Sequence, residues 1–190
     1  MKTLDNYLFQ KRAQRYLRET SRERHFVNYN QAKTILLLFE SDLQERNESI
    51  HKIISQLQQD GKKVVAWGFI DKKEVAASIL PEFRILHHKQ TDFFSRPLLP
   101  FLNELEGSEF DLLIDLSLKP VVALEYIAMY ARALCKAGVR KNELAIFDFM
   151  LDVDSLKASV ADAPETENRI DETYLFSQII FYLKSIQTTD

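Results

Sequence analysis

The chain has 190 residues, of which 46% are hydrophobic and 28% are charged, a composition typical of a globular protein with one hydrophobic core. No apolar run approaches the length of a membrane helix, and the first residues lack the apolar segment and cleavage site of a signal peptide. The single cysteine, Cys135, excludes an internal disulfide and fits a reducing compartment. These features predict a soluble cytoplasmic protein without a membrane segment.

The net charge of -3 is unevenly distributed along the chain. Residues 1–33 contain eight Lys or Arg and three acidic residues, whereas the remainder contains seventeen Lys or Arg and twenty-five acidic residues. A basic segment of this kind can contact nucleic acid or an anionic surface. The favoured interpretation is an amphipathic helix on the protein's own surface, and Tyr16 is the one aromatic residue within its basic run. Nucleic acid binding is therefore the minor alternative.

Two faces of this N-terminal helix can be assigned from the sequence. The apolar contact strip is expected to contain Leu4, Tyr7, Leu8 and Leu17. The solvated face is expected to contain Lys11, Arg12, Arg15, Arg18, Arg22 and Arg24.

Strand and helix patterns alternate through the first half of the chain. Thr34–Glu40 is a short apolar run that predicts a buried strand. Asn47 is the predicted N-cap of a helix whose apolar residues repeat at helical spacing, and Gly61 ends that helix. The following patterns predict a strand at Lys63–Ile70, a short helix at Lys72–Ile79 and a weaker strand at Phe83–His87.

The alternation continues through the second half. The expected elements are a helix at Pro97–Leu105, a strand at Phe110–Leu116, a helix at Val121–Leu134, strands at Ala137–Lys141 and Leu144–Val153, and a helix at Ile170–Ile186. The helix at Val121–Leu134 carries only two charged residues, which predicts burial on more than one side. Val122, Ile127 and Leu134 are therefore expected to be almost fully buried.

Together these elements predict one α/β domain over residues 1–190, with a three-layer, mostly parallel sheet of five to six strands, Rossmann- or flavodoxin-like. Helices at both termini are expected to flank the sheet. The expected segments are a basic helix and arm at 1–33, the core at 34–153, an exposed connection at 154–168 and a C-terminal helix at 169–190. The most apolar runs should form the central parallel strands: Ile35–Phe39, Val64–Phe69 and Leu112–Leu116.

The fold class indicates where a ligand would bind. In open parallel sheets, ligands bind beyond the carboxyl ends of the strands, where the strand order reverses. The polar residues expected there are Ser41, Asp42, His87, Ser117 and Lys119. His87 and His88 are neighbours in a predicted strand and should point to opposite faces, so they cannot readily hold one ion together. No metal site and no cofactor are predicted.

Glycine is scarce, with four residues that lie far apart in the sequence: Gly61, Gly68, Gly107 and Gly138. A dinucleotide fingerprint or a Walker loop needs clustered glycines, so neither motif is present. The chain also lacks G-x-S-x-G, H-E-x-x-H and C-x-x-C motifs. No catalytic motif is found, and whether the protein is an enzyme is left open.

Several segments of the chain carry a family resemblance that covers nearly its whole length. The segments F-D-L-L-I-D-L-S, A-R-A-L-C-K-A-G, F-D-F-M-L-D-V and I-I-F-Y-L-K-S-I resemble an uncharacterised bacterial family, a domain of unknown function. T-D-F-F-S-R-P at Thr91–Pro97 resembles the pre-helix motif of that family. The resemblance implies no known activity. D-L-L-I-D-L-S and A-G-V-R are also similar to the N-terminal half of heptosyltransferase-type glycosyltransferases, which implies kinship in fold and not in activity.

The leading functional interpretation is a non-catalytic binding or interaction module. The alternative is a domain that binds a small anion or nucleotide-like molecule, or an enzyme, at the carboxyl edge of the sheet. The last helix carries more large apolar residues than one face uses, with Tyr174 and Phe181 projecting away from the face that should pack on the sheet. This predicts a possible homodimer through that helix, unless the N-terminal helix covers it through its apolar strip.

Overall fold

A computed structural model of the chain describes residues 2–20, 22, 24–42, 45–72, 83–160 and 170–185. The helices are α1 (Lys2–Glu19), α2 (Glu45–Gln59), α3 (Leu99–Glu106), α4 (Val122–Tyr130), α5 (Val153–Val160) and α6 (Glu172–Ser185). The strands are β1 (Thr34–Glu40), β2 (Lys63–Phe69), β3 (Arg84–Leu86), β4 (Glu109–Asp115), β5 (Arg132–Val139) and β6 (Phe149–Leu151). No helix among these residues is long and apolar enough to cross a lipid bilayer.

The six described strands form one parallel sheet in the order β3-β2-β1-β4-β5-β6. The predicted α/β class and the predicted parallel sheet are therefore confirmed. β1 and β4 lie side by side in the middle, with Leu36 opposite Leu113. The chain builds one half of the sheet outward from β1 and then crosses to build the other half from β4. This reversal gives the Rossmann-type strand order, which the sequence alone did not predict.

Side chains that alternate along each strand supply two separate hydrophobic cores. On one face of the sheet, Ile35, Leu37 and Phe39 of β1 pack with α2, α5 and α6. On the other face, Leu36 and Leu38 pack with α1, α3 and α4. Both faces of the central strands are covered by helices, which explains why β1 and β4 have continuous apolar sequences rather than alternating ones.

Gly68 in β2 allows the side chains of Phe39 and Ile85 to approach the strand closely. A Cβ atom at this position would lie 2.7 Å from both the Phe39 ring and the Ile85 side chain. Gly61 ends α2 with a φ of 75°, as its predicted position after the helix requires. Asn47, the predicted N-cap of α2, instead lies inside the helix and is buried, because α2 begins at Glu45.

The predicted helix at Val121–Leu134 is wrong at its end, since α4 stops at Tyr130 and β5 begins at Arg132. From Arg132 to Cys135 the residues alternate between exposed and buried, which is the period of a strand. Ile127 is fully buried as predicted, but Val122 is half-buried and Leu134 is 43% exposed. The apolar composition predicted burial correctly for the helix, but it could not separate the end of the helix from the start of the strand.

The predicted elements after β5 also need correction. Of the predicted strand at Leu144–Val153, only Phe149–Leu151 is a strand, and the residues before it form a turn. The segment 154–168, predicted as an exposed connection, begins within α5, whose first backbone amides are capped by Asp152. Residues 161–169 lie outside the described residues, as does most of the predicted helix at Lys72–Ile79.

The N-terminal helix packs through a different strip from the one predicted. Phe9 and Ala13 are fully buried, whereas Tyr7 is 53% exposed and Leu8 and Leu17 are half-buried. The side chain of Leu4 lies outside the described residues. Because α1 and α6 pack on opposite faces of the sheet, α1 does not cover α6, and that alternative for the aromatic residues of α6 is wrong. The predicted basic face is exposed except at Arg22, which is half-buried.

We expect an Ile127→Asp substitution to prevent folding, because it would leave an unpaired charge where no solvent reaches. Leu134→Asp is the matched control, since it changes an exposed residue of the same predicted helix. Its free energy of unfolding should change by less than about 1 kcal/mol. Circular dichroism during thermal unfolding measures the stability of both variants. Equal losses of stability would contradict the assigned boundary between α4 and β5.

Candidate functional site

The strand order reverses between β1 and β4, so the expected site lies beyond the carboxyl ends of these two strands. Ser41 and Asp42 follow β1 directly, and Ser117 and Lys119 follow β4. His87 follows β3, which is an edge strand separated from β1 by β2. Four of the five predicted residues thus follow the two strands of the reversal, and His87 lies two strands away.

The predicted residues differ in exposure. Ser41 is buried, and its hydroxyl donates a hydrogen bond to Asn47 Oδ1 at 2.9 Å. Ser117 is also buried, while Asp42 and Lys119 are exposed. His87 caps a short 3-10 helix, where its Nδ1 accepts a hydrogen bond from the backbone amide of Lys89 at 3.3 Å. The two serines therefore contact other residues of the protein, whereas the side chains of Asp42 and Lys119 are exposed and can contact a ligand.

A buried polar cluster lies at the end of β4. Asp115 is fully buried, and its Oδ1 accepts hydrogen bonds from the Ser117 amide at 2.9 Å and the Ser117 hydroxyl at 2.5 Å. Its Oδ2 lies 2.5 Å from the ammonium of Lys141, which follows β5. The Lys141 ammonium also lies 2.6 Å from the Ser117 hydroxyl oxygen. The carboxylate, the hydroxyl and the ammonium thus satisfy one another.

Glu125 in the first turn of α4 extends this cluster. Its Oε1 accepts a hydrogen bond from the Asn142 side-chain amide at 2.8 Å, whereas Oε2 is buried without a hydrogen-bond partner. Burial raises the pKa of Glu125 to about 7; the nearby charge of Asp115 also raises it, whereas Lys141 and the hydrogen bond from Asn142 lower it. Two carboxylates and one lysine therefore share a small volume with little solvent.

The cluster resembles a reactive arrangement in geometry but not in access. A serine hydroxyl at 2.6 Å from a lysine ammonium is the spacing of a nucleophile and its base. However, the Lys141 side chain is 1% exposed and that of Asp115 is 0% exposed. Because it is buried, the cluster joins Asp115 at the end of β4 to Ser117 in the segment before α4 and to Lys141 in the segment after β5. Its role in this conformation is structural.

The adjacent histidines point to different partners. His88 Nε2 lies 2.5 Å from Asp71 Oδ1, and its ring contacts the edge of Phe69. His87 instead caps the 3-10 helix, as described above. Within the part of the chain that the structure describes, no three His, Cys, Asp or Glu side chains are placed to hold a metal ion.

A cavity of about 810 Å³ lies at the opposite edge of the sheet, near the amino ends of β4 and β5. Lys136 lines it and is buried, and its ammonium donates hydrogen bonds to the last carbonyls of α4, at 2.6 Å to Ala128 and 3.3 Å to Met129. Burial and then the charge of Arg22 lower the pKa of Lys136 to about 7. Arg22 itself is paired with the buried carboxylate of Asp148. The sequence does not reveal this cavity, because its wall combines residues of α1, α4 and β5, which are distant from one another along the chain.

The sequence contained partial signals for the buried cluster. Asp115 and Ser117 end an apolar strand, where polar residues often line a site. Lys141 is the last residue of a short predicted strand and Asn142 follows it, but both lie far from Asp115 in the sequence, so the sequence does not reveal the contact. Glu125 is a charged residue in an otherwise apolar helix, which was the clearest available signal for a buried polar group.

Residues 6–162 match the model of a family described as Family of unknown function (DUF6913), so the chain belongs to this family. The predicted resemblance to a family of unknown function is confirmed, and the match assigns no activity to any residue. The similarity to heptosyltransferase-type enzymes stays a prediction about the fold alone. Neither the curated proteins nor the solved structures contain a significant match to this chain.

The buried carboxyl of Glu125 should make stability depend on pH. The folded protein binds this proton more tightly than the unfolded chain, whose glutamate pKa is 4.5. The stabilisation is complete below that value and is lost as the pH rises through about 7. Glu125→Gln cannot ionise, so we expect it to be more stable than the wild type above neutral pH by roughly 3 kcal/mol.

Urea unfolding across the range from acid to mildly alkaline pH measures this difference. Glu104→Gln is the control, because Glu104 is exposed. If the free energies of unfolding of Glu125→Gln and the wild type differed by the same amount at every pH, the raised pKa of Glu125 would be contradicted.

Proposed function

We propose that this chain is a non-catalytic binding module that pairs with a second copy of itself through the exposed aromatic face of α6. The observation that carries the proposal is the exposure of two large aromatic residues on one ordered helix. Phe181 is 62% exposed and Tyr182 is 43% exposed, although Phe176, Ile179 and Leu183 of the same helix are buried. Exposed apolar surface of this kind is costly in water and often marks a contact surface.

The exposed rings form a continuous surface with the edge of the sheet. The Phe181 and Tyr182 ring centroids are 5.4 Å apart, and Tyr182 lies 5.7 Å from Phe149 of the edge strand β6. Tyr174, which the sequence paired with Phe181, instead packs against the core. The aromatic surface is therefore Phe149, Phe181 and Tyr182.

A second copy is the partner that fits this surface. A groove of about 330 Å³ lies between α2 and α6, directly beside Phe181, and Ile53, Phe176 and Ile180 form its apolar wall. The same face thus presents a protruding ring and an apolar groove. In a two-fold dimer each partner contributes the same surface, so the ring of one copy can enter the groove of the other.

Light scattering at micromolar protein concentration tests this pairing. We expect a dimer mass for the wild type and a monomer mass for Phe181→Glu, because the new charge would be buried without a partner in the interface. Phe93→Glu is the matched control, since Phe93 is 71% exposed on the other face of the protein and should leave the dimer intact. A monomeric wild type, or equal effects of both substitutions, would overturn the proposal.

The strand reversal supports a second candidate function, the binding of a small anion or nucleotide-like molecule at the carboxyl edge of the sheet. The candidate ligand-binding residues are Ser41, Asp42, His87, Ser117 and Lys119. Lys119 would supply the positive charge, because it is exposed beside the reversal. Buried Ser41 and Ser117 would hold the loops that carry Asp42 and Lys119.

Thermal unfolding with phosphate, nucleotides and sugar phosphates tests this second candidate. A ligand of the folded state raises the unfolding temperature, and Lys119→Ala should remove the rise while the unliganded stability stays unchanged. His87→Ala should reduce the rise less, because His87 lies two strands from the reversal. No rise with any of these compounds would leave only the self-association proposal.

The proposed location is the cytoplasm, where free thiols persist. Cys135 is buried, and burial raises the pKa of its thiol, which keeps the sulfur in its unreactive form.

A further inference from the structure

The basic face of α1 is held in a fixed orientation by the opposite face of the helix. Phe9 and Ala13 are fully buried, and the Phe9 ring packs edge-on against Tyr126 of α4 at 4.8 Å. Lys11, Arg15 and Arg18 project from the outer face and are exposed. They follow one stripe of the helix and extend over about 10 Å of its axis.

The loop Thr91–Pro97 is closed by hydrogen bonds between its own residues and presents an aromatic ring to solvent. An antiparallel bridge between Thr91 and Pro97 closes it, and the Asp92 carboxylate accepts hydrogen bonds from the amides of Phe94 at 2.8 Å and Arg96 at 3.0 Å. Ser95 has a φ of 59°, a left-handed conformation that completes the tight turn. This loop holds Phe93 with 71% of its surface exposed.

The loop lies beside the basic helix. The Arg12 guanidinium lies over the Phe94 ring at 5.0 Å, and the Phe94 and Phe93 rings are 5.3 Å apart. At the other side of the helix, the Lys11 ammonium lies 4.8 Å from the ring of Tyr7, which is 53% exposed. The fold therefore brings two exposed rings to a stripe of positive charge, although Phe93 is distant in sequence.

We propose that this basic-aromatic surface, formed by Tyr7, Lys11, Arg12, Arg15, Arg18 and Phe93, binds single-stranded nucleic acid. Proteins that bind single strands without sequence preference combine a basic track for phosphates with aromatic rings on which bases stack. The segment 1–33, with eight Lys or Arg and three acidic residues, supplies the complementary charge. Arg15 pairs with Glu19 at 2.8 Å, but both side chains are largely exposed, so phosphate can replace Glu19 at little cost.

A single strand fits this surface better than a duplex. The bases of a duplex are already stacked on one another and cannot stack on Phe93 or Tyr7. Leu99 is 61% exposed near the loop, so an anionic lipid surface is the competing partner that the experiment must separate.

Fluorescence anisotropy with labelled oligouridine and oligothymidine of about 8 nucleotides tests the proposal, at about 50 mM salt and at higher salt. We expect micromolar binding that Phe93→Ala weakens by about 5- to 150-fold, the loss associated with one stacked base. Lys11→Gln/Arg15→Gln should reduce the slope of log affinity against log salt by about 1.4, since two phosphate contacts are removed.

Two matched controls lie outside both proposed surfaces. Phe26→Ala removes a ring that is 49% exposed, and Lys63→Gln/Arg140→Gln removes the same charge as the double variant on α1. Neither control should change the affinity, because none of these side chains belongs to the basic-aromatic surface. Absence of wild-type binding at low salt, or equal losses with Phe93→Ala and Phe26→Ala, would overturn the proposal. Phe93-dependent binding to phosphatidylserine vesicles without binding to the oligonucleotides would also overturn it and identify a lipid partner.

Discussion

All described strands of this sheet run in one direction, and that constraint governs the rest of the molecule. Parallel neighbours cannot be joined by a tight turn, so each connection must cross a face of the sheet, usually as a helix. The helices between strands, α2, α3 and α4, cover both faces together with α1, which precedes the first strand, and α5 and α6, which follow the last. One hydrophobic core is enclosed on each face, with α2, α5 and α6 on one side and α1, α3 and α4 on the other. Within the described residues, ligands and partners can then reach the strand ends, the edge strands and the outer faces of the helices.

Ion pairs between oppositely charged side chains lie at both ends of the sheet. Asp115 and Lys141 pair at the carboxyl edge, and Arg22 and Asp148 pair near the amino edge. Pairs of this kind contribute little net stability, but the loss of one partner leaves a buried charge and costs about 3–5 kcal/mol. They therefore fix the conformation of the loops around the sheet. At the carboxyl edge, Ser41, Asp115 and Ser117 are buried in contacts within the protein, and exposed Asp42 and Lys119 remain to meet a ligand.

The exposed surfaces with distinctive chemistry lie on the outer faces of two helices, α1 and α6. The aromatic surface of α6 has an apolar groove beside it, which suits a protein partner, and the surface of α1 combines cations with exposed rings, which suits a polyanion. Because the two lie on opposite faces of the sheet, both can be occupied at once. A dimer formed through α6 would present two basic surfaces pointing away from the interface.

The sequence by itself determined the fold class, the central strands and the burial of Ile127, because these follow from local apolar patterns that a parallel sheet requires. It also placed Ser41, Asp42, Ser117 and Lys119 at strand ends. Tertiary structure alone decided that helix α4 ends at Tyr130 and that Lys141 pairs with Asp115. It also decided that Phe93 lies beside the basic helix, as the contact between Arg12 and Phe94 requires. The physical reason is that the burial of a strand or helix follows from the spacing of apolar residues along a short stretch of sequence. Ion pairs and aromatic contacts instead depend on how distant segments of the chain are brought together around the sheet.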